Sequence, residues 1–394
     1  MIADSTPMRI LVVDDEPDLE TLIRQRFRGR IREGRYDFLF ARNGVEALDK
    51  LRDDESIEVV LTDINMPEMD GLTLLSHLAE LEAVRKSLIV SAYGDMENIR
   101  AAMNRGAFDF ITKPIDFKDL EITLEKTRQE LRTMKLAREA RENLSAVQRE
   151  LDVAARIQQA ILPQIFPPFP DRTEFDIYAE MIPARQIGGD FYDFFFINEH
   201  RLGIVIGDVA GKGMPAALFM AVCRTLLKAT AVTGMTPGDC LRHVNTLVCA
   251  DNGAGLFVTL VYGILDTRTG IVEYSIAGHL PPILIGGGGM ARELPRTGGL
   301  VLGVAGDAVY VTDTIKLKPH EGLLLYTDGV SEAMDKSHRL FSESRLLDTV
   351  TRLQAQTPDV LIEGIVSEVR AFTDGYPQSD DITLLALKFL GTQG

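Results

Sequence analysis

The sequence predicts a multidomain fold in three successive parts. These are an α/β doubly wound (βα)5 unit, a long coiled-coil helix acting as linker, and an α+β sandwich of β-sheets flanked by helices. Three observations carry the prediction. Short apolar runs alternate with amphipathic stretches from Arg9 to about Lys113, a densely charged stretch from Asp116 to Leu162 contains neither Gly nor Pro, and strand-like runs dominate from about Thr173 onward. A chain of 394 residues is in any case too long for one ordinary domain. The boundaries that follow are 1–116, 117–162 and 163–394.

In the first part the candidate strands are RILVVD, YDFLFA, IEVVLTD, SLIVSA and AFDFITK, with helix-like segments such as NGVEALDKLRDD and GLTLLSHLAELEA between them. Strand–helix alternation at this spacing argues for a parallel sheet covered by helices on both faces. Function in such sheets gathers at the carboxyl ends of the strands. Asp14 and Asp15 stand at the end of the first strand, Asp63 of the third, Ser91 of the fourth and Lys113 of the fifth. Three carboxylates there repel one another unless a hard cation such as Mg²⁺ sits among them. A lysine and a small hydroxyl beside that cation are what an anionic group on Asp63 requires, so the chemistry points to a carboxylate that accepts a phosphoryl group.

In the second part, apolar or small residues recur at Leu120, Leu124, Thr127, Leu131 and Met134, then at Ala137, Ala140, Leu144, Val147, Leu151, Ala154 and Ile161. The steps are mostly 3 and 4, with a phase slip near 134–140. A helix of this length extends about 65–70 Å. A seam that long calls for a partner, which predicts a parallel homodimeric coiled coil; the alternative is a single helix lying on its own domains. The proline-rich LPQIFPPFPD ends the helix.

In the third part the strand-like runs are EFDIYAEMIP, RLGIVIGDV, LFVTLVYGILD, IVEYSIAG, PPILIG, GLLLYTD and DITLLALKF. MPAALFMAVCRTLLKATA, PGDCLRHVNTLVCAD and DVLIEGIVSEVRAF read as helices, DTRTG as a hairpin turn, and GGGG at 286–289 as a loop. Clustered strands with few helices suggest sheets carrying helices on their outer faces.

Composition narrows the function. Net charge is −16, from 42 basic and 58 acidic residues, which argues against phosphate-backbone binding and a direct nucleic-acid role. The arginines at 24, 26, 28, 30, 32 and 35 read as a solvated helix face running into a turn. Cys223, Cys240 and Cys249 form no CxxC or Cys/His cluster, so neither zinc nor disulfides are indicated. No run approaches the roughly 20 apolar residues that span a bilayer, and the start MIADSTPMRILVVDDEPD does not read as a signal peptide. A cytoplasmic protein without membrane attachment is expected.

The loop GDVAGKG at 207–213 looks at first like a phosphate cradle. The P-loop needs G-x-x-x-x-G-K-[ST]; here Gly207 to Gly211 is one residue short, and Gly213 follows Lys212 in place of the metal-binding hydroxyl. A different pattern lies in aspartates read as ending apolar strands: Asp190, Asp208, Asp328, and Asp380 with Asp381. Four carboxylates on one sheet edge are oxygen ligands suited to Mg²⁺ or Mn²⁺. Two such cations about 3.5–4 Å apart activate a water for in-line attack on phosphorus.

VDDEPD, TDINMPEMDG, SA and FDFITKP, in that order, resemble the receiver domain of two-component response regulators over the whole first third. The resemblance implies Asp63 as phosphoacceptor, with Asp14, Asp15, Asp63 and the Asn65 backbone around a Mg²⁺. It also implies Ser91 and Lys113 as phosphoryl contacts and Phe110 as aromatic switch. GGDFYD, GDVAGKGMPAALFM, AGHLPPILI, LLLYTDGVSEAMD and SDDITLLAL, with ARIQQAILPQ ahead of them, resemble the metal-dependent PPM serine/threonine phosphatases, PP2C-like and of the bacterial SpoIIE or RsbU type, from about Leu151 to the C-terminus. That pattern implies two Mn²⁺ or Mg²⁺ ions. Asp208 touches both, aided by the Val209 carbonyl; Asp190 joins it at one ion, Asp328 and Asp380 at the other, with Asp381 a less settled neighbour. Arg185 reads as a phosphate contact or a surface salt bridge, His279 as structural or a weak acid, and Lys212 as a phosphate contact or a solvated tip; His243 and His320 have no evident partners.

Together the resemblances imply a phosphoprotein phosphatase controlled by a histidine kinase through Asp63. Its implied substrate is a phosphorylated anti-sigma factor antagonist. The alternative, resembling RssB-like architectures, is a non-catalytic adaptor that binds a sigma factor or its regulator through a phosphatase-like domain.

Overall fold

The computed structural model describes residues 6–81, 85–286 and 288–391. The first residues of the chain, the end of the helix-like run at 71–83 and Gly287 of the GGGG run lie outside the described residues. The chain forms two units, Met1–Ala146 and Val147–Gly394.

The apolar runs of the first unit become β1 (Met8–Val13), β2 (Tyr36–Ala41), β3 (Val59–Asp63), β4 (Lys86–Ala92) and β5 (Asp109–Lys113). Between and after them run α1 (Pro17–Arg26), α2 (Arg28–Arg32), α3 (Gly44–Asp53), α4 (Gly71–Leu78), α5 (Met96–Asn104) and α6 (Phe117–Ile161). The strands pair in parallel in the order β2-β1-β3-β4-β5, with the strand order reversing between β1 and β3. Strands this apolar have both faces covered, and β3 is buried at every position. Two helix starts are fixed by side chains: Asn43 accepts from the Glu46 amide and Asp70 from the Thr73 amide. Within the arginine-rich stretch Arg24 pairs with Glu20 and Arg30 with Glu33 and Glu121.

Helix α6 begins in the first unit and ends in the second. Its Leu120, Leu124 and Leu131 are buried in the first unit's core with Met8, Ile10, Ile23 and Val59. These positions, expected to belong to an intermolecular seam, instead cover the unit's own sheet. The phase slip near 134–140 marks where that packing stops. Beyond it Leu136, Leu144 and Val147 are 56%, 69% and 53% exposed, so only the later part of the predicted seam is unpartnered.

The second unit holds β6 (Phe175–Ile182), β7 (Phe191–Asn198), β8 (Arg201–Val209), α7 (Met214–Ala231), α8 (Pro237–Ala250), β9 (Val258–Asp266) and β10 (Ile271–Ala277). There follow β11 (Ile283–Ile285), β12 (Arg292–Glu293), β13 (Asp313–Lys316), β14 (Gly322–Tyr326), α9 (Asp328–Ser331), α10 (Glu343–Leu353), α11 (Pro358–Thr373) and β15 (Ile382–Phe389). Two antiparallel sheets, β13-β10-β9-β8-β7 and β12-β11-β14-β15-β6, enclose a shared core. Helices α7 and α8 cover the first sheet, α10 and α11 the second. The turn at 266–270 joins β9 to β10 as its sequence predicts. By length and composition α7 suffices to cross a membrane, yet its Ala216, Met220, Cys223 and Leu227 face is buried in the sandwich core. All three cysteines are free thiols.

Strand β7 and helix α7 are tied by charge. Asp193, fully buried, takes Arg224 at 2.7 Å and Lys228 at 3.4 Å. Burial still raises its pKa, against the pull of both cations. Removing one partner of a buried pair is strongly destabilising because it leaves charge uncompensated. Arg224→Met is therefore expected to cost the second unit about 3 kcal/mol, the lower end of the range because Lys228 remains. Urea denaturation, read as a drop in midpoint at unchanged slope, checks this.

Candidate functional sites

The parallel order places the first constellation. Asp14 and Asp15 follow β1, Asp63 ends β3 and Lys113 ends β5, all at the carboxyl edge beside the point where strand order reverses. Asp14, Asp15 and Asp63 bring one carboxylate oxygen each to within 4.8 Å of one another. Lys113 Nζ lies 2.9 Å from Asp63 Oδ2, 3.1 Å from Glu16 and 3.2 Å from Asp14. Asp63 Oδ1 accepts from the Ile64 amide at 2.8 Å. Burial raises the Asp14 carboxyl above its usual range despite Lys113, and the carboxylates around Lys113 raise the lysine in turn. Asp14 Oδ2 is buried and accepts no hydrogen bond. A buried anionic oxygen left to a single shared lysine fits a hard cation.

Ser91 is buried near the end of β4, its hydroxyl 3.5 Å from Asp95. Asn65 is exposed in the loop after β3, and Phe110 lies 39% exposed on β5. Glu16, the third carboxylate on Lys113, is the member that the sequence reading left out. Its place two residues after Asp14 was the available signal.

The second constellation comes from both sheets. Asp208 is in the last turn of pleat of β8, as expected for a strand end. Asp190 and Asp380 with Asp381 instead precede β7 and β15, and Asp328 opens α9 just after β14. The expectation that all of them end strands is thus corrected. Antiparallel pairing supplies the reason: Phe191 faces Gly207 across β7–β8, and Leu384 faces Tyr326 across β14–β15. The start of one strand therefore lies beside the end of its neighbour, and the aspartates still meet at one edge.

Asp190 is almost fully buried, and its Oδ2 accepts from the Thr327 hydroxyl at 2.7 Å and the Thr383 hydroxyl at 2.6 Å. Burial, then Asp208 and Asp381, push its pKa well up. Burial and the charge of Asp328 push Asp208 up to about 6, with Asp380 and Asp381 adding to the effect. Asp328 is raised by burial and by Glu332 and Asp380. Among the described residues no second set of three acidic groups closes as tightly as Asp14, Asp15 and Asp63; here the carboxylates are spread around Asp208. Lys212 is exposed at the tip of the loop and pairs with Asp380 at 2.8 Å. Four carboxylates facing one lysine leave a charge deficit of the kind that divalent cations fill.

Asp381 has another job. Its two oxygens accept from the Ala184 and Gly189 amides at 2.8 and 2.7 Å, which shapes the loop leading to Asp190. Gly189 in turn lies against the Val209 carbonyl. Gly211 and Gly213 adopt φ of 101° and 78°, so the glycines of GDVAGKG turn the chain from β8 into α7. Arg185 is exposed on the loop before Asp190 and, among the described residues, makes no ion pair. His279 is buried with Nδ1 2.7 Å from the Thr259 hydroxyl and Nε2 3.1 Å from the Tyr326 carbonyl. Burial lowers it to about 4, so it is a neutral cross-link between the two sheets. Thr327 and Thr383, which hold Asp190, escaped the sequence reading; each lies within two residues of an aspartate that it did single out.

Residues 10–125 match the response regulator receiver domain family, and residues 198–390 match the family Stage II sporulation protein E (SpoIIE). The chain is 33% identical over 288 residues to protein IcfG of Synechocystis, covering 66% of this chain and 44% of that one. It is 28% identical over 242 residues to the phosphoserine phosphatase RsbU of Bacillus subtilis, covering 61% of this chain and 70% of RsbU. The chain thus spans less than half of IcfG. In fold, the SiaA PP2C domain of Pseudomonas aeruginosa aligns with a TM-score of 0.56 at 24% identity, over 62% of this chain and 98% of that one. The chain accordingly joins a response regulator receiver domain to a SpoIIE-family domain with the PP2C-like phosphatase fold.

Proposed function

We propose that this protein is a metal-dependent phosphoserine or phosphothreonine phosphatase whose activity is set by phosphorylation of Asp63. The observation that carries the reading is the gathering of Asp190, Asp208, Asp328 and Asp380 at one edge of the sandwich, where Asp208 is driven up to about 6 by burial and like charge. Asp208 with Asp190, the Val209 carbonyl, Asp328 and Asp380 would hold two divalent cations, Mn²⁺ or Mg²⁺. Those cations, when bound, supply an activated water and neutralise charge on the phosphoryl group. The chain's own residues fix the ligands: Thr327 and Thr383 orient Asp190, and Asp381 shapes the loop ahead of it. Arg185, exposed and without an ion pair among the described residues, is free to meet the phosphate of the substrate.

In the first unit Asp63 accepts the phosphoryl group from a histidine kinase or a small phosphodonor. Lys113 and Ser91 then contact it, and Phe110 responds. Asp14, Asp15 and the Asn65 backbone share with Asp63 the binding of Mg²⁺, which balances the added charge. The exposed α6 positions from Ala137 to Ala154 form a homodimeric seam. The substrate class is a phosphorylated antagonist of an anti-sigma factor, as the resemblance to the SpoIIE or RsbU type implies; the likeness to the phosphoserine phosphatase RsbU supports phosphoserine as the group removed.

Purified protein is expected to hydrolyse an aryl phosphate or a phosphoserine protein with Mn²⁺, and a chelator to abolish this. Asp208→Ala or Asp328→Ala should slow hydrolysis by at least about a hundredfold, since the cations contribute several kcal/mol. An unchanged rate would instead support the non-catalytic adaptor. Asp63→Ala should block uptake from a small phosphodonor, followed by phosphate-affinity electrophoresis, while metal-dependent hydrolysis persists.

Proton and cation compete for Asp208. Its carboxyl is raised to about 6, so the competition begins near pH 6, not near the ordinary carboxylate value. Calorimetric titration with Mn²⁺, in a chain carrying Asp14→Asn and Asp63→Asn, should show affinity falling at least about tenfold per pH unit below about 6, since Asp190 and Asp328 are raised as well. Affinity that stays level down to pH of about 5 would contradict the assignment of Asp208.

A further inference from the structure

Gln158 lies in the last turn of α6 and is 7% exposed, although its neighbour Ile157 is 60% exposed. Its carboxamide meets Gly188 twice. Nε2 donates to the Gly188 carbonyl at 2.6 Å, and the Gly188 amide donates to Oε1 at 3.1 Å. One side chain thus supplies the donor and acceptor that a neighbouring strand supplies in a sheet. The segment 183–190 has no regular secondary structure, so its backbone depends on such outside partners. Asp381 holds it at Ala184 and Gly189, and Gln158 holds it at Gly188. A Cβ at position 188 would stand 2.4 Å from Asp381 Oδ2, which leaves room for glycine alone.

Two residues beyond Gly188 is Asp190, whose Oδ2 is fixed from the far side by Thr327 and Thr383. The end of α6 also borders a cleft of about 270 Å³ lined by Leu162, Phe166, Tyr178, Met181 and Tyr192. The helix end is therefore not embedded on all sides in packed core, and movement there meets less resistance than in a filled interior.

We propose that Gln158 is a positioning residue for the phosphatase chemistry. Its paired hydrogen bonds make the placement of Gly188, Gly189 and Asp190 depend on where the last turn of α6 sits. A slide by one residue is about 1.5 Å along the axis, enough to stretch or misalign both bonds. The inference rests on the phosphatase reading above and adds a point at which α6 acts on the site.

The test uses the full chain with Gln158→Met, which keeps length and removes both bonds, and Gln158→Glu, which keeps an acceptor for the Gly188 amide but sets lone pairs against its carbonyl. Hydrogen exchange over residues 184–190 should speed up at least about tenfold in Gln158→Met, with β8 and β9 amides unchanged. Half-saturation by Mn²⁺ in aryl phosphate hydrolysis should rise about 10–100-fold, as for other outer partners of metal ligands, with kcat lowered and KM for the aryl phosphate within about twofold. Gln158→Glu should disturb exchange and half-saturation at least as much as Gln158→Met, because lone pairs then meet at the Gly188 carbonyl, and it takes the place of Gln158→Met if that variant does not fold. Exchange and half-saturation both within about twofold of the parent overturn the proposal, as does exchange that rises equally across β8 and β9. Asp208→Asn is run beside them. If it hydrolyses like the parent, the phosphatase reading fails, and the exchange measurement alone then decides whether Gln158 holds the loop.

Discussion

A carboxylate taken out of water must be matched by donors or countercharge, and the second unit is organised around that requirement at Asp190. Its Oδ2 faces the hydroxyls of Thr327, just after β14, and Thr383, at the start of β15. Those strands must therefore sit within hydrogen-bonding distance of the start of β7, which lies in the other sheet. His279 makes a second bridge of the same kind between Thr259 and the Tyr326 carbonyl, and burial keeps its ring neutral there. Two polar cross-links, not apolar packing alone, set the register between the sheets at the edge where the aspartates meet.

The first unit solves the same electrostatic problem by another geometry. In a parallel sheet every strand ends on the same edge, so Asp14, Asp63 and Lys113 converge because each follows an apolar run. That convergence is legible in sequence, since strand ends can be counted there. In antiparallel sheets a site collects strand starts as well as ends. The aspartates of the second unit were legible as candidates from their place beside apolar runs. Which end of which strand they occupied was not, because that depends on pairing between β7 and β8 and between β14 and β15. Strand β7 itself, FYDFFFIN, was hidden because it is buried at its first five positions and shows no alternation.

Helix α6 shows the limit of periodicity. Leu120, Leu124 and Leu131 repeat with the spacing of a coiled-coil seam, yet they are core residues of the first unit. Leu144 and Val147 repeat in the same way and are exposed. A 3–4 repeat records that one face of a helix is apolar; it does not say whether a sheet or a second helix covers that face. The slip near 134–140 was the one local sign that two different surfaces were being served. Gln158 was invisible on the same grounds, since a polar residue on an apolar repeat reads as an interruption until its partner, 30 residues on, is known.

On the proposed reading, the continuity of α6 gives control a physical route. Lys113, which faces Asp63, stands four residues before the helix begins at Phe117, and Gln158 stands three residues before it ends at Ile161. A phosphoryl group on Asp63 would recruit Lys113 from its shared place among Asp14, Glu16 and Asp63, and the chain from Lys113 to Phe117 is too short to absorb a shift without moving the first turn. A hydrogen-bonded helix resists compression and transmits axial displacement or rotation, unlike a flexible linker. At the far end the response need not be large. Gln158 holds a loop without secondary structure through two bonds, so a movement on the order of 1.5 Å changes the partners of Gly188 while the sandwich stays intact. The direction of control then depends on which position of α6 lets Gln158 meet Gly188, the phosphorylated or the unphosphorylated one. Both signs are compatible with the same fold, because the device acts on the loop ahead of Asp190 and leaves the other cation ligands where the sheets hold them.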